Sequence, residues 1–241
     1  MRYKGSMALM LDSLRKEVIR AHLELVRRGL VMETFGNVSA FDRASKVVVI
    51  KPSGVPYESL RPEDLVLTDL QGRTVAGTLR PSTDLVTHLE LYRALPEAGA
   101  VIHTHSRFAT IWAQAKREIP CVGTTHADYF PCAVPVTRDL MAREIEADYE
   151  FNTAMLIVKE VRDRFPLDIT AVLVASHGPF CWGPTVEAAL HSASILEEIA
   201  RMAYYTMTLN PAAAPISNHL LNKHYSRKHG RDAYYGQAPA T

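Results

Sequence analysis

Ala98-Gly99-Ala100-Val101-Ile102-His103-Thr104-His105 is an apolar run that ends in two histidines separated by one residue. Read as a strand, it turns both imidazoles to one face of a sheet, because strand side chains alternate with a period of two. Two parallel imidazoles on a rigid element make half of a metal site. The pair alone is also what a solvated edge strand shows, so its surroundings decide.

Those surroundings repeat the theme. A second apolar run, Ala171–Ala175, is followed by His177 and Gly178, and an acid, Asp84, stands just after Ser82-Thr83. Three histidines and one carboxylate suit Zn²⁺, since imidazole nitrogen and a hard oxygen both match a borderline cation. A metal there would act as a Lewis acid on a ketone or an enediolate.

Working outward, Leu11, Leu14, Val18 and Leu25 recur at helical spacing, with Gly29 as a stop. Asn37–Phe41 pairs with Val47–Ile50 across Asp42–Lys46, and Leu65–Thr68 with Arg73–Ala76 across Asp69–Gly72. A helix opens near Asp84, and another follows His105 with Ser106 as its N-cap. Ala133–Val136 and Ile169–Ala175 read as strands; Asn152–Arg164, Val186–Leu209 and Ser217–Lys228 read as helices. Hairpins mixed with helices, without regular β-α-β alternation, predict an α/β fold with three α/β/α layers. Its central sheet is mostly antiparallel or mixed and covered by helices on both faces.

The 241 residues are 47% hydrophobic and 22% charged, enough for one large core. No repeat or linker divides them, so a single domain over 1–241 is expected, with 1–10 and 238–241 as terminal extensions. Met7 is a second candidate start. A net charge of +1 supplies no field for nucleic acid or membrane. Cys121, Cys132 and Cys181 are odd in number and widely spaced, which argues against a disulfide framework and fits a cytoplasmic protein; we assign them no role. No run is long enough for a signal sequence or a spanning helix.

Three short segments join Gly or Pro to hydrogen-bonding residues: Gly36-Asn37-Val38-Ser39, Lys51-Pro52-Ser53-Gly54 and Arg80-Pro81-Ser82-Thr83. Hydroxyls, an amide, backbone N–H groups and a cation are what a phosphate monoester needs, although each segment alone also fits an ordinary turn. None has nucleotide P-loop spacing. With the metal candidate, they point to a metalloenzyme acting on a small phosphorylated sugar. Asp128, in Gly123–Tyr129, could exchange a proton with such a substrate. The stretch Lys223–Arg231 gathers Lys223, Arg227, Lys228 and Arg231 with His219, His224 and His229 nearby, as an anion site or a solvated face would. Tyr234-Tyr235 lies near the end, where such a pair more often packs than catalyses.

Together, Gly36–Ala40, Lys51–Val55, His103–Arg107, Ala109–Ala115, Gly123–Tyr129, Ser176–Phe180 and Lys228-His229-Gly230 through Tyr235-Gly236-Gln237 closely resemble the L-ribulose-5-phosphate 4-epimerases. That family belongs to the class II (zinc) aldolase superfamily, and the resemblance runs from about Leu11 to Gln237, with its segments in the family's order. It implies an isomerase that interconverts L-ribulose 5-phosphate and D-xylulose 5-phosphate by retro-aldol cleavage, fragment rotation and re-addition. It implies a cytoplasmic homotetramer with active sites between subunits. Zn²⁺ would be held by Asp84, His103, His105 and His177, with Mn²⁺ or Co²⁺ as substitutes. Phosphate would be received by Asn37, Lys51, Ser53, Gly54, Ser82 and Thr83. Asp128 and Tyr235 would be the proton-transfer groups, Tyr235 supplied by the adjacent subunit, with His224 lining the site from across the interface. L-Arabinose and L-ascorbate catabolism both use this epimerisation. Arg80 and Thr83 stand where the family's nearest members are expected to carry Lys and Ser.

Two other readings of the same residues exist. One is a class II aldolase of the fuculose- or rhamnulose-phosphate type, which releases its fragments and carries a glutamate at the place of Asp84. The other is a non-catalytic scaffold like the adducin head.

Overall fold

The computed structural model describes residues 2–164, 168–231 and 233–236. Seven strands, β1 (Asn37–Asp42), β2 (Val47–Ile50), β3 (Val66–Asp69), β4 (Thr74–Ala76), β5 (Ala100–His103), β6 (Ala171–Leu173) and β7 (Pro179–Gly183), join in one sheet. The helices are α1 (Arg2–Arg27), α2 (Leu85–Ala94), α3 (Arg107–Gln114), α4 (Thr124–Ala127), α5 (Ala142–Asp163), α6 (Val186–Leu209) and α7 (Asn218–His229). Gln237 and residues 238–241 lie outside the described residues.

Both expected hairpins form. Asp42 caps the first turn by accepting from the Ser45 backbone N–H (2.9 Å), and Lys46 adopts positive φ there. Asp69 caps the second by accepting from the Gln71 and Arg73 backbones (2.9 and 3.0 Å). The sheet order is β4-β3-β2-β1-β5-β7-β6, and every pairing of named strands is antiparallel.

Strand alternation sorts the side chains into two cores. Val38, Ala40, Ala100 and Ile102 pack under α1, α3 and α6; Phe41, Val48, Val101 and Trp182 pack under α2 and α5. Burial on both faces is why β5 reads as an unbroken apolar run. The expected three layers are therefore present.

Several local expectations differ from the structure. β5 ends at His103, so His105 is not a strand residue but lies in the connection to α3. Ser106 occupies the N-cap position without capping through its side chain. The α3 N-terminus is instead bonded by Glu197 of α6, which accepts from the Phe108 and Ala109 backbones (2.8 and 2.9 Å). Ala133–Val136 makes only isolated bridges, Ile119 to Val134 and Val136 to Leu173. β6 is shorter than Ile169–Ala175, and α5 starts ten residues before Asn152. β7 carries no clear strand signal in the sequence, because Pro179 at its start and Gly183 at its end punctuate it like a loop. No helix among the described residues is long and apolar enough to cross a membrane.

Candidate metal centre and phosphate pocket

The ends of β1, β2 and β5 open into one cavity of about 410 Å³. Asn37, Lys51, Ser53, Gly54, Ser82, Thr83, Asp84, His103, His105 and His177 all line it, as do Phe35, Tyr149 and Glu150.

His103 is delivered by β5 and His177 by the turn before β7. Two glycines permit the approach. A Cβ on Gly36 (φ +86°) would stand 2.8 Å from the His103 carbonyl oxygen, and one on Gly178 would stand 2.6 Å from that of Thr104. One ring nitrogen from each of His103, His105 and His177 falls within 4.8 Å of the others. The Nε2 atoms of His103 and His105 are 3.1 Å apart.

The tautomer of His103 follows from its other nitrogen. Nδ1 lies 3.0 Å from the Pro179 carbonyl, which can only accept, so Nδ1 carries the proton and Nε2 offers a lone pair to the cluster. The ring is stacked on Phe180 at 4.2 Å, and His105 on Phe35 at 5.6 Å. Burial, then the neighbouring His105, pushes His103 down to about 3. Burial, followed by His103 and His105, does the same to His177. His105 is also lowered by burial. Three neutral imidazoles with converging nitrogens are the donor set that a borderline divalent cation takes.

Asp84, at the N-cap of α2, lines the cavity but lies outside the three-histidine cluster. Its Oδ2 accepts from Asn37 Nδ2 at 2.6 Å, and the same amide donates to Ser82 Oγ at 3.0 Å. Asn37 Oδ1 is buried without a partner among the described residues.

Lys51 is 2% exposed, and among the described residues its ammonium has only a long contact to the Pro52 carbonyl (3.4 Å) and the Tyr57 ring (5.0 Å). Burial pushes its pKa down. The loops around it are tied together: the Ser53 N–H donates to Arg80 and the Ser82 N–H to Lys51 (3.0 and 2.9 Å). Those two N–H groups are spent, which leaves the hydroxyls, Gly54 and the ammonium facing the cavity.

Asp128, His224 and Tyr235 do not line this cavity; where α4 packs on α7, His224 bonds Asp128, and Tyr235 joins them through the shared neighbours Arg227 and Lys228. The Asp128 carboxylate accepts from Arg227 (Nε 3.0 Å, Nη2 2.7 Å) and His224 Nδ1 (3.0 Å), with Lys228 at 4.0 Å. Burial alone would raise its pKa, but the Arg227 and His224 bonds and the Lys228 charge hold it below the usual range. The Tyr235 ring lies 4.3 Å from Lys228 Nζ and 5.0 Å from Arg227 Cζ, and is 61% exposed.

Residues 16–204 match the class II aldolase and adducin N-terminal domain family, and the chain belongs to it. It is 48% identical over 227 residues to the L-ribulose-5-phosphate 4-epimerase UlaF of Salmonella paratyphi B, covering 94% of this chain and 100% of that one. Among solved structures, an L-fuculose 1-phosphate aldolase superposes with a TM-score of 0.76 at 23% identity, covering 89% of this chain and 95% of that one. The L-fuculose-1-phosphate aldolase of Thermus thermophilus gives 0.66 at 24% identity, over 84% and 98%. At those identities the two aldolases speak for the fold alone.

Proposed function

We propose that this chain is a zinc-dependent epimerase that interconverts L-ribulose 5-phosphate and D-xylulose 5-phosphate at carbon 4. The observation that carries this reading is one cavity holding three convergent neutral imidazoles beside a buried lysine without a carboxylate partner among the described residues. The 48% identity to UlaF supports the choice of substrate.

Carbon 4 bears no acidic hydrogen, since the ketone is two bonds away, so inversion proceeds by breaking the C3–C4 bond. A Zn²⁺ held by His103, His105 and His177, with Asp84 beside them, would supply Lewis acidity for the negative charge of that cleavage; Mn²⁺ or Co²⁺ suits the same donors. Lys51, with Ser53, Gly54, Ser82 and Thr83, anchors the phosphate, so the released glycolaldehyde phosphate stays while its aldehyde turns its other face. Asn37 Oδ1, a buried acceptor, suits a substrate hydroxyl. Asp84, turned toward Asn37, is a ligand rather than the acid–base group.

One base must remove the 4-hydroxyl proton and one acid must return a proton on the opposite face. Asp128 takes one of these roles, and Tyr235 takes the other from the neighbouring subunit of a homotetramer, with His224 lining the site from across the same interface. That Tyr235 and His224 do not line the cavity of their own chain supports a contribution from across the interface. The enzyme is then cytoplasmic and serves a pathway that uses this epimerisation, L-arabinose or L-ascorbate catabolism.

The test is hybrid complementation. His103→Ala and Tyr235→Phe are each expected to be nearly inactive on L-ribulose 5-phosphate, and co-assembly of the two should restore part of the turnover. No recovery in proven hybrids would refute a site shared between subunits.

A further inference from the structure

Tyr149 and Glu150 line the cavity, yet neither the metal nor the phosphate reading uses them. They sit just past a break in α5, where Asp148 leaves helical geometry (φ −161°, ψ 92°). The break is built rather than frayed. Asp148 Oδ1 accepts from the Phe151 N–H (3.0 Å) and so caps the second half of the helix. Asn152 Nδ2 donates to the Glu144 and Asp148 carbonyls (2.9 and 2.8 Å). Thr87 of α2 donates to the Glu150 carbonyl at 2.8 Å, which ties the break to the helix that begins after Asp84.

The result is that Tyr149 Oη stands 3.2 Å from Nδ1 of His177. For His103 a carbonyl dictates the tautomer. For His177 the partner is a hydroxyl, which can give or take the proton. Only when Nδ1–H donates and Oη accepts does Nε2 keep a lone pair for the cluster.

We propose that Tyr149 is a positioning residue for the metal centre: its phenol oxygen accepts from His177 Nδ1–H, fixing the ring's orientation and its ligating tautomer. The break at Asp148 is the device that brings the phenol there. This proposal rests on the metal reading given above. While accepting, Tyr149 keeps its own O–H proton free to donate within the cavity.

Tyr149→Phe in the full chain keeps the ring and removes only the hydroxyl. The metal-free variant should unfold at the parent's temperature. Its Zn²⁺ affinity, measured by competition with a chromophoric chelator, should fall about 10- to 100-fold. The visible spectrum of its Co²⁺ form should change shape. Long-range ¹H–¹⁵N spectra of the metal-free parent should show His177 as the Nδ1–H tautomer, and a tautomer mixture in the variant. Parent-like affinity and Co²⁺ spectrum in a folded variant would overturn the role of Tyr149 and leave the metal reading standing. If the variant does not fold, an Nε2–H tautomer in the parent overturns it instead. A parent that binds no divalent metal overturns both.

Discussion

Replacing Lys51 by methionine separates the charge of this residue from its packing. The residue is 2% exposed and its stem would be kept nearly isosteric; the ammonium, which among the described residues touches only the Pro52 carbonyl at 3.4 Å and the Tyr57 ring at 5.0 Å, would go. A hydrogen bond from a charged donor contributes about 1.5–3 kcal/mol. At about 1.4 kcal/mol per tenfold, KM for the sugar phosphate should rise roughly 10- to 150-fold. The phosphate contact is made before and during reaction, so kcat should change far less than KM. Stability should move the other way. Burial lowers the pKa of Lys51, so its charge opposes folding at neutral pH. The unfolded chain holds that proton up to about pH 10.4, so the parent's handicap shrinks as pH rises through the lowered value toward that point. The methionine variant should therefore melt at or above the parent at pH 7, and the gap should narrow in alkali. Steady-state kinetics and thermal melts measure both effects. A folded variant with KM within twofold of the parent would refute the assignment of Lys51 to the phosphate.

Glu197→Ala removes both bonds to the α3 N-terminus and should cost about 1–3 kcal/mol, or a fall of about 2–4 °C in Tm per kcal/mol, read by thermal melting. Gly36→Ala places a Cβ 2.8 Å from the His103 carbonyl at positive φ, so a urea titration should show a loss of about 1–3 kcal/mol. His22 of α1 is not one of the three clustered histidines; it accepts from the Val38 N–H at 3.0 Å and is pushed by burial from 6.5 to about 3. The unfolded chain takes that proton first, so the metal-free protein should lose stability as pH falls below 6.5, levelling near 3. A urea midpoint that stays flat from about pH 7 to 4 would contradict this linkage.

The elements that could be read in the sequence are those whose ends carry their own chemistry. Thr185 and Ser217 both cap helices with their side chains, at the boundaries their types suggest. Asp42 and Asp69 do the same for the hairpins. β7 is hidden in the sequence because its place between β5 and β6 is decided by those neighbours, not by its own Pro- and Gly-bounded sequence. The cavity-lining residues were legible where glycine, proline and polar groups cluster. Tyr149 and Glu150 were not, since they follow a charged helical stretch and reach the cavity only through the break at Asp148. The one local signal was Asp148 itself, an N-cap residue type within a helix. Asp128 stands out in its own segment, whereas the role of Tyr235 is legible only through family resemblance, and their shared cluster with Arg227 depends on α7 folding back onto α4.

The decisive experiment on the epimerase is to incubate the zinc-loaded protein with L-ribulose 5-phosphate and quantify D-xylulose 5-phosphate and free glycolaldehyde phosphate in the same samples, with and without a chelator. D-Xylulose 5-phosphate is expected to form without escaping aldehyde, abolished by chelation and restored by Zn²⁺. Accumulation of free aldehyde, or no turnover by protein shown to hold its metal, would contradict the epimerase assignment.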